Sequence, residues 1–216
     1  MKNMRLTVCI GIMCGWLAAG MLHAGTRPDH VRPVEEDGSR LWLPVIRPVE
    51  GAEVEITYKG KVSPTIAIAI AELKNAWKGD PVLLEKKKTG RGDGFAITSS
   101  EHQVRILSST ETGLLYGAYS LLRMQAAGQL TVPLSVTEQP AYDLRILNHW
   151  DNPDGTVERG YAGRSLWNWE ELPGTLSPRY EAYARANASV GINGTVLNNV
   201  NASPQVLTTG SLEKVK

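Results

Sequence analysis

Hydrophobic positions in residues 51–139 recur with two periods, every second residue or along one helical face. Val54, Ile56 and Tyr58 alternate with other residues and predict a strand. Ser63 and Pro64 then supply an N-cap and a first helical position, and Ile66, Ile70, Leu73 and Trp77 share one face of the helix that follows. Gly79, Asp80 and Pro81 stop it. Residues 94–98 and 103–107 predict two more strands around a polar turn. Thr112 begins a second helix with the stripe Leu114, Leu115, Ala118, Leu121 and Leu122, closed by Gly128. The order β, α, β, β, α predicts a small mixed sheet with helices packed on it.

Pro140 marks a boundary. Leu144, Ile146 and Leu147 start a new apolar strand. Ser177 and Pro178 begin a helix that carries Tyr180, Tyr183 and Ala184 on one side and ends at Gly191, and residues 192–197 predict a second buried strand. Strand, helix and strand of these lengths predict a βαβ unit with two parallel strands whose C-terminal ends lie side by side. In a repeated βα architecture those ends build the active face. They carry His149, Trp150, Asp151 and Asn152 after the first strand, and Asn198, Asn199, Val200 and Asn201 after the second.

The residue types on that face suit a sugar. Tryptophan offers a flat apolar wall, while asparagine, histidine and aspartate supply donors and acceptors for hydroxyls around a ring. Arg159 and Arg164 add forked donors for a carboxylate. Each residue also has a plainer role: His149 as a strand cap, Asp151 as the start of an Asx turn before Pro153, Trp167 and Trp169 as filling for the base of a long loop. Elsewhere the plain roles are preferred. Gly90, Gly92 and Gly94 are not fed by a strand and open no helix, so they make no phosphate cradle. Arg91, Gly92 and Asp93 form a turn, and Lys86, Lys87 and Lys88 a solvated strand end. The Asn-X-Ser/Thr triplets at Asn187, Asn193 and Asn201 are read as chance occurrences, Asn187 lying in the predicted helix and Asn193 opening a buried strand, where modification would conflict with packing.

Composition removes other classes. With 216 residues, 42% of them hydrophobic, and a net charge of +1, the chain can build a sizeable core but offers no electrostatic footprint for nucleic acid. Lys2 and Arg5, the apolar run 6–22 and the small residues Ala24 and Gly25 predict a cleavable secretory signal over residues 1–24, with export to the periplasm or medium and no stable membrane insertion. Cys9 and Cys14 lie inside it, so the mature chain would contain no disulfide, thiolate nucleophile or cysteine-ligated zinc. Pro28, Pro33, Pro44 and Pro48 then predict a tether with one extended segment at 41–46, where Trp42 docks.

The runs RILNHWDNPDGTVERGYAGRSLW and GINGTVLNNVNA closely resemble the xylan-degrading α-glucuronidases of glycoside hydrolase family 67. ETGLLYGAYSLLRM resembles the support domain before that family's barrel. The resemblance implies an α/β protein: a small mixed, hexosaminidase-like domain over 25–140, then the first βαβ of a (β/α)8 TIM barrel over 141–216, truncated, since a barrel typically needs about 250 residues. It implies an inverting hydrolase that removes α-1,2-linked glucuronic acid or its 4-O-methyl ether from xylooligosaccharides, with no cofactor or metal, and with a homodimer as one candidate assembly of the full-length enzyme. By the same resemblance, Trp150 and Val200 sheathe the uronic acid; His149, Asp151, Asn152, Arg164 and Asn198 join the expected binding set from their place on the strand-end face and its loop, not from the family match. The family's acid and base sit on later strands. Glu158, Glu170 and Glu171 do not match their positions, so no catalytic residue is expected here and residues 1–216 alone are expected to be inactive. The alternatives are a non-catalytic carbohydrate-binding or accessory domain, and a hexosaminidase-type glycosidase.

Overall fold

Helix α1 (Pro64–Ala76) begins where its cap predicts: Ser63 Oγ accepts the Ile66 amide at 3.3 Å, and Pro64 takes the first helical position, where a missing N–H leaves nothing unbonded. The computed structural model describes Leu43 and residues 54–216. The expected signal, both cysteines, Trp42 and most of the 41–46 segment lie outside the described residues. Everything described falls within one compact unit, Asp37–Lys216.

A five-stranded sheet runs in the order β1-β2-β4-β3-β5. Strands β1 (Ile56–Tyr58), β2 (Val82–Lys86) and β4 (Gln103–Ser108) are parallel, while β3 (Phe95–Ser100) is antiparallel to both β4 and β5 (Ser135–Glu138). This corrects the β, α, β, β, α order, which lacks β2 and β5. Val82, Leu83 and Leu84 are all buried, so β2 lacks the alternation that marks a half-exposed strand, and five residues are too few to separate it from a helix end. At the sheet edge opposite β1, β5 is four mostly exposed residues.

Helix α2 (Glu111–Ala126) starts one residue before the expected position, capped by Thr110, whose Oγ1 accepts the Gly113 amide at 3.0 Å. After it the chain turns at Gly128 with φ +66°, a left-handed conformation that glycine adopts at no steric cost. Gly117 presses α2 onto the sheet: a Cβ there would lie 2.5 Å from Ile106 Cγ2 and 3.3 Å from Phe95 Cδ2. Ile66, Leu73, Leu84, Ile97, Ile106, Leu114, Leu121 and Leu122, all fully buried, form the core between the two helices and this sheet.

The second sheet is the expected parallel pair, β6 (Ile146–Asn148) and β7 (Gly194–Val196), connected through α3 (Pro178–Ser189). The strands are short and partly exposed, not buried: Ile146 is 50% exposed and β7 is half-buried throughout. Gly194 sits opposite Ile146, whose Cγ2 would be 2.6 Å from a Cβ there. A 3-10 turn (Pro204–Leu207) and a short helix, α4 (Thr209–Glu213), follow.

Two arginines fasten this layer to the first sheet and its helices. Arg185 of α3 meets Glu72 of α1 through Nε (2.5 Å) and Nη2 (2.8 Å), the two-pronged geometry that suits a carboxylate. Arg145 donates to Asp93 Oδ2 at 2.6 Å and, through Nε, to the Gly191 carbonyl at 2.6 Å. Asp93 therefore does more than turn the chain. The neighbouring glycine loop binds protein: Gln139 donates to the Arg91 carbonyl at 2.6 Å and accepts its amide at 3.0 Å.

Candidate functional site

Parallel pairing of β6 and β7 brings their C-terminal loops together, and one bond joins them directly: the Asn199 amide donates to the Asp151 carbonyl at 2.6 Å. The loop after β6 folds back on itself. Asp151 bridges to Val157 and Thr156 to Arg164, so Trp150, Asn152 and Glu158 stand close to the strand end.

Asp151 is 4% exposed, and its carboxylate is committed to the loop. Oδ2 accepts from Ser165 Oγ at 2.7 Å and from the Leu166 amide at 2.9 Å, while Oδ1 lies 3.7 Å from His149 Nδ1. A buried carboxylate needs such donors, because desolvating the charge without them is costly. The Asx turn expected at Asp151 is made instead by Asp154, whose Oδ1 accepts the Thr156 amide at 2.9 Å and its hydroxyl at 2.7 Å. Those bonds, led by the Thr156 hydroxyl, hold the Asp154 carboxyl below its ordinary pKa.

His149 is held through Nε2, 2.5 Å from the Tyr183 hydroxyl, which also contacts Thr195 Oγ1 at 3.2 Å. Edge-on rings surround it: Trp167 and Tyr183 lie 5.8 Å and 5.4 Å away by centroid. Trp167 is 9% exposed and Trp169 7%, so both fill the base of the loop as their plainer role predicts. Trp150 is 42% exposed and Val200 78%, which leaves both available at the strand ends. Asn152 donates to Thr156 Oγ1 and to the Glu158 carbonyl, each at 2.9 Å, and Asn198 donates to the Asn199 carbonyl at 3.2 Å. Arg164 is exposed and lines an open cleft of about 490 Å³ with Trp167, Trp169, Glu170, Arg179 and Tyr180.

The structure thus divides the seven expected contact residues. Trp150, Val200 and Arg164 present free surface, whereas His149, Asp151, Asn152 and Asn198 hold loop geometry with the atoms named above. Ser165 and Tyr183, which orient Asp151 and His149, carry no mark in the sequence. Each acts on a partner 14 and 34 residues away, respectively, beyond any local periodicity.

Residues 124–216 match the model of the glycosyl hydrolase family 67 middle domain. The chain is 42% identical over 116 residues to "Probable alpha-glucuronidase A" of Aspergillus clavatus, covering 53% of this chain and 14% of that protein. Over 115 residues it is 41% identical to alpha-glucuronidase A of Aspergillus tubingensis, with the same two coverages of 53% and 14%. The chain therefore spans about a seventh of the length of these curated relatives. Among solved structures, a GH138 enzyme targeting pectin rhamnogalacturonan II superposes with a TM-score of 0.52 at 14% identity, over 75% of this chain and 22% of that one, a likeness of fold. The resemblance to the α-glucuronidases of glycosyl hydrolase family 67 is thereby shown, carried over residues 124–216 by similarity to the family's middle domain.

Proposed function

We propose that this chain serves an exported α-glucuronidase of xylan breakdown, which removes α-1,2-linked glucuronic acid or its 4-O-methyl ether from xylooligosaccharides with inversion. The observation that carries this reading is the junction of the two strand ends, where Trp150 and Val200 stand exposed on loops joined by the Asn199–Asp151 bond. Side-by-side C-terminal strand ends are where a βα architecture places its ligands. An indole face and a valine form an apolar wall against which a sugar ring can stack.

Inversion needs a carboxylic acid kept protonated and a second carboxylate about 6.5–9.5 Å from it. Asp151 is already engaged by two donors, and Asp154 is shifted downward, opposite to the direction a general acid requires. We therefore assign to residues 141–216 the sugar-facing wall and not the acid or base.

Titration calorimetry of the chain with 4-O-methylglucuronosyl xylotriose and with unsubstituted xylotriose tests the reading. Uronic-acid-dependent binding is expected, with no release of 4-O-methylglucuronic acid. Equal binding of both sugars, or of neither, contradicts the uronic-acid assignment, and release of the acid contradicts the placement of the catalytic carboxylates.

A further inference from the structure

Glu158 has φ +58°, and among the described residues it is the non-glycine in the left-handed region. For a residue with a Cβ, and with no short side chain to bond its own backbone, that conformation is held only where the surroundings over-determine it. Three bonds do so here. The Glu158 amide donates to the Trp150 carbonyl at 2.8 Å. Its own carbonyl accepts two side-chain amides, from Asn152 at 2.9 Å and from Asn199 at 3.0 Å.

Those two amides come from different loops. Asn152 follows β6, and Asn199 follows β7 and is 1% exposed. The orientation of Asn199 is fixed by its second bond: its Oδ1 accepts the Asn201 amide at 2.9 Å, so a flipped amide would set oxygen against the Glu158 carbonyl and NH2 against an N–H. Val200 lies between Asn199 and Asn201, which the Asn199 side chain ties together, and Trp150 carries the carbonyl that the Glu158 amide holds.

We infer that Asn199 and Asn152 are positioning residues, whose side-chain amides converge on the Glu158 carbonyl and set the Trp150 loop against the Val200 loop before a sugar arrives. The inference rests on the glucuronidase reading for what the wall recognises, and on the hydrogen bonds alone for how the wall is held. A wall fixed in advance spares the ligand the cost of ordering it. Replacing a buried amide donor by an acceptor opposes two oxygens, a loss that translates to roughly tenfold or more in affinity.

The test is a double-mutant cycle on the full chain with 4-O-methylglucuronosyl xylotriose, pairing Asn199→Asp with Trp150→Ala. Asn199→Asp keeps the acceptor for the Asn201 amide and removes only the donor to Glu158. The expected result is a roughly tenfold weaker Kd in the native background and little further loss when Trp150 is already alanine, because residues acting through one element are non-additive. Equal fold-losses in both backgrounds overturn the inference and leave the glucuronidase reading standing. If the native chain binds no uronic-acid sugar, that reading falls, and acrylamide quenching decides the inference. Asn199→Asp is expected to increase the quenching that disappears in Trp150→Phe, and unchanged quenching overturns it. Asn152→Ala, at a half-buried position, serves both measurements should Asn199→Asp fail to fold.

Discussion

Tyr119 illustrates how a single side chain takes its chemistry from neighbours that are remote in sequence. It is 1% exposed on α2, and its hydroxyl donates to Glu72 Oε1 at 3.2 Å, while the Arg185 guanidinium lies 5.8 Å from the ring centre. Burial raises the phenol pKa well above its ordinary value of 10.0, the Glu72 carboxylate raises it further, and Arg185 opposes them. A folded-state pKa above the unfolded one means that the native form holds its proton longer. The associated stability is therefore fully present below about pH 10 and is lost as pH rises beyond it. Urea midpoints are expected to fall more steeply above about pH 10 for the native protein than for Tyr119→Phe, and parallel profiles would contradict this. Glu72 and Arg185 are 113 residues apart, so no motif announces the cluster. The same holds for Asp151: it reads as a ligand because it follows a strand, yet Ser165 and Leu166 both donate to its Oδ2.

At the scale of elements, what can be read locally is read correctly. Ser63 and Ser177 cap α1 and α3 where the sequence places those helices, because a cap is a bond between neighbours two or three residues apart, whereas Thr110 caps α2, which begins one residue before its expected start. Strand β2 escapes notice because burial on both faces erases the alternation by which a strand is recognised. Packing also reverses a local preference in α2. Alanine in place of Gly117 would favour helix by about 1 kcal/mol, but its Cβ would meet Ile106, which is fully buried and cannot move aside freely. Overpacking a close contact typically costs about 1–3 kcal/mol, so Gly117→Ala is expected to be neutral to destabilising by about 2 kcal/mol. Chemical denaturation measures the sign, and a clear gain in stability would show that α2 can lift from the sheet at little cost.

Over the whole molecule, the helix-covered five-stranded sheet contrasts with the β6–β7 pair. Tyr142, Leu144 and Ile146 are 75%, 76% and 50% exposed, an apolar run leading into a short strand. Apolar surface beside an unpaired strand edge promotes association between copies. Light scattering from the chain is expected to rise with concentration, and to rise less for Leu144→Lys, which places a charge in that run without removing a buried contact. Identical scattering would mean that this surface does not drive association.

The sequence by itself determined the three long helices, the caps of α1 and α3, the parallel βαβ unit, and the family resemblance carried by NHWDN and ERGYAG, since each resides in short-range spacing or in a contiguous run. Tertiary structure decided which residues remain available on the strand-end face. Trp150, Val200 and Arg164 stay exposed, while His149, Asp151 and Asn152 turn inward. The physical reason is that a polar atom's role depends on which partner reaches it first. Ser165 and the Glu158 carbonyl arrive only when the long loop folds back on the end of β6, and Tyr183 only when α3 packs beside it.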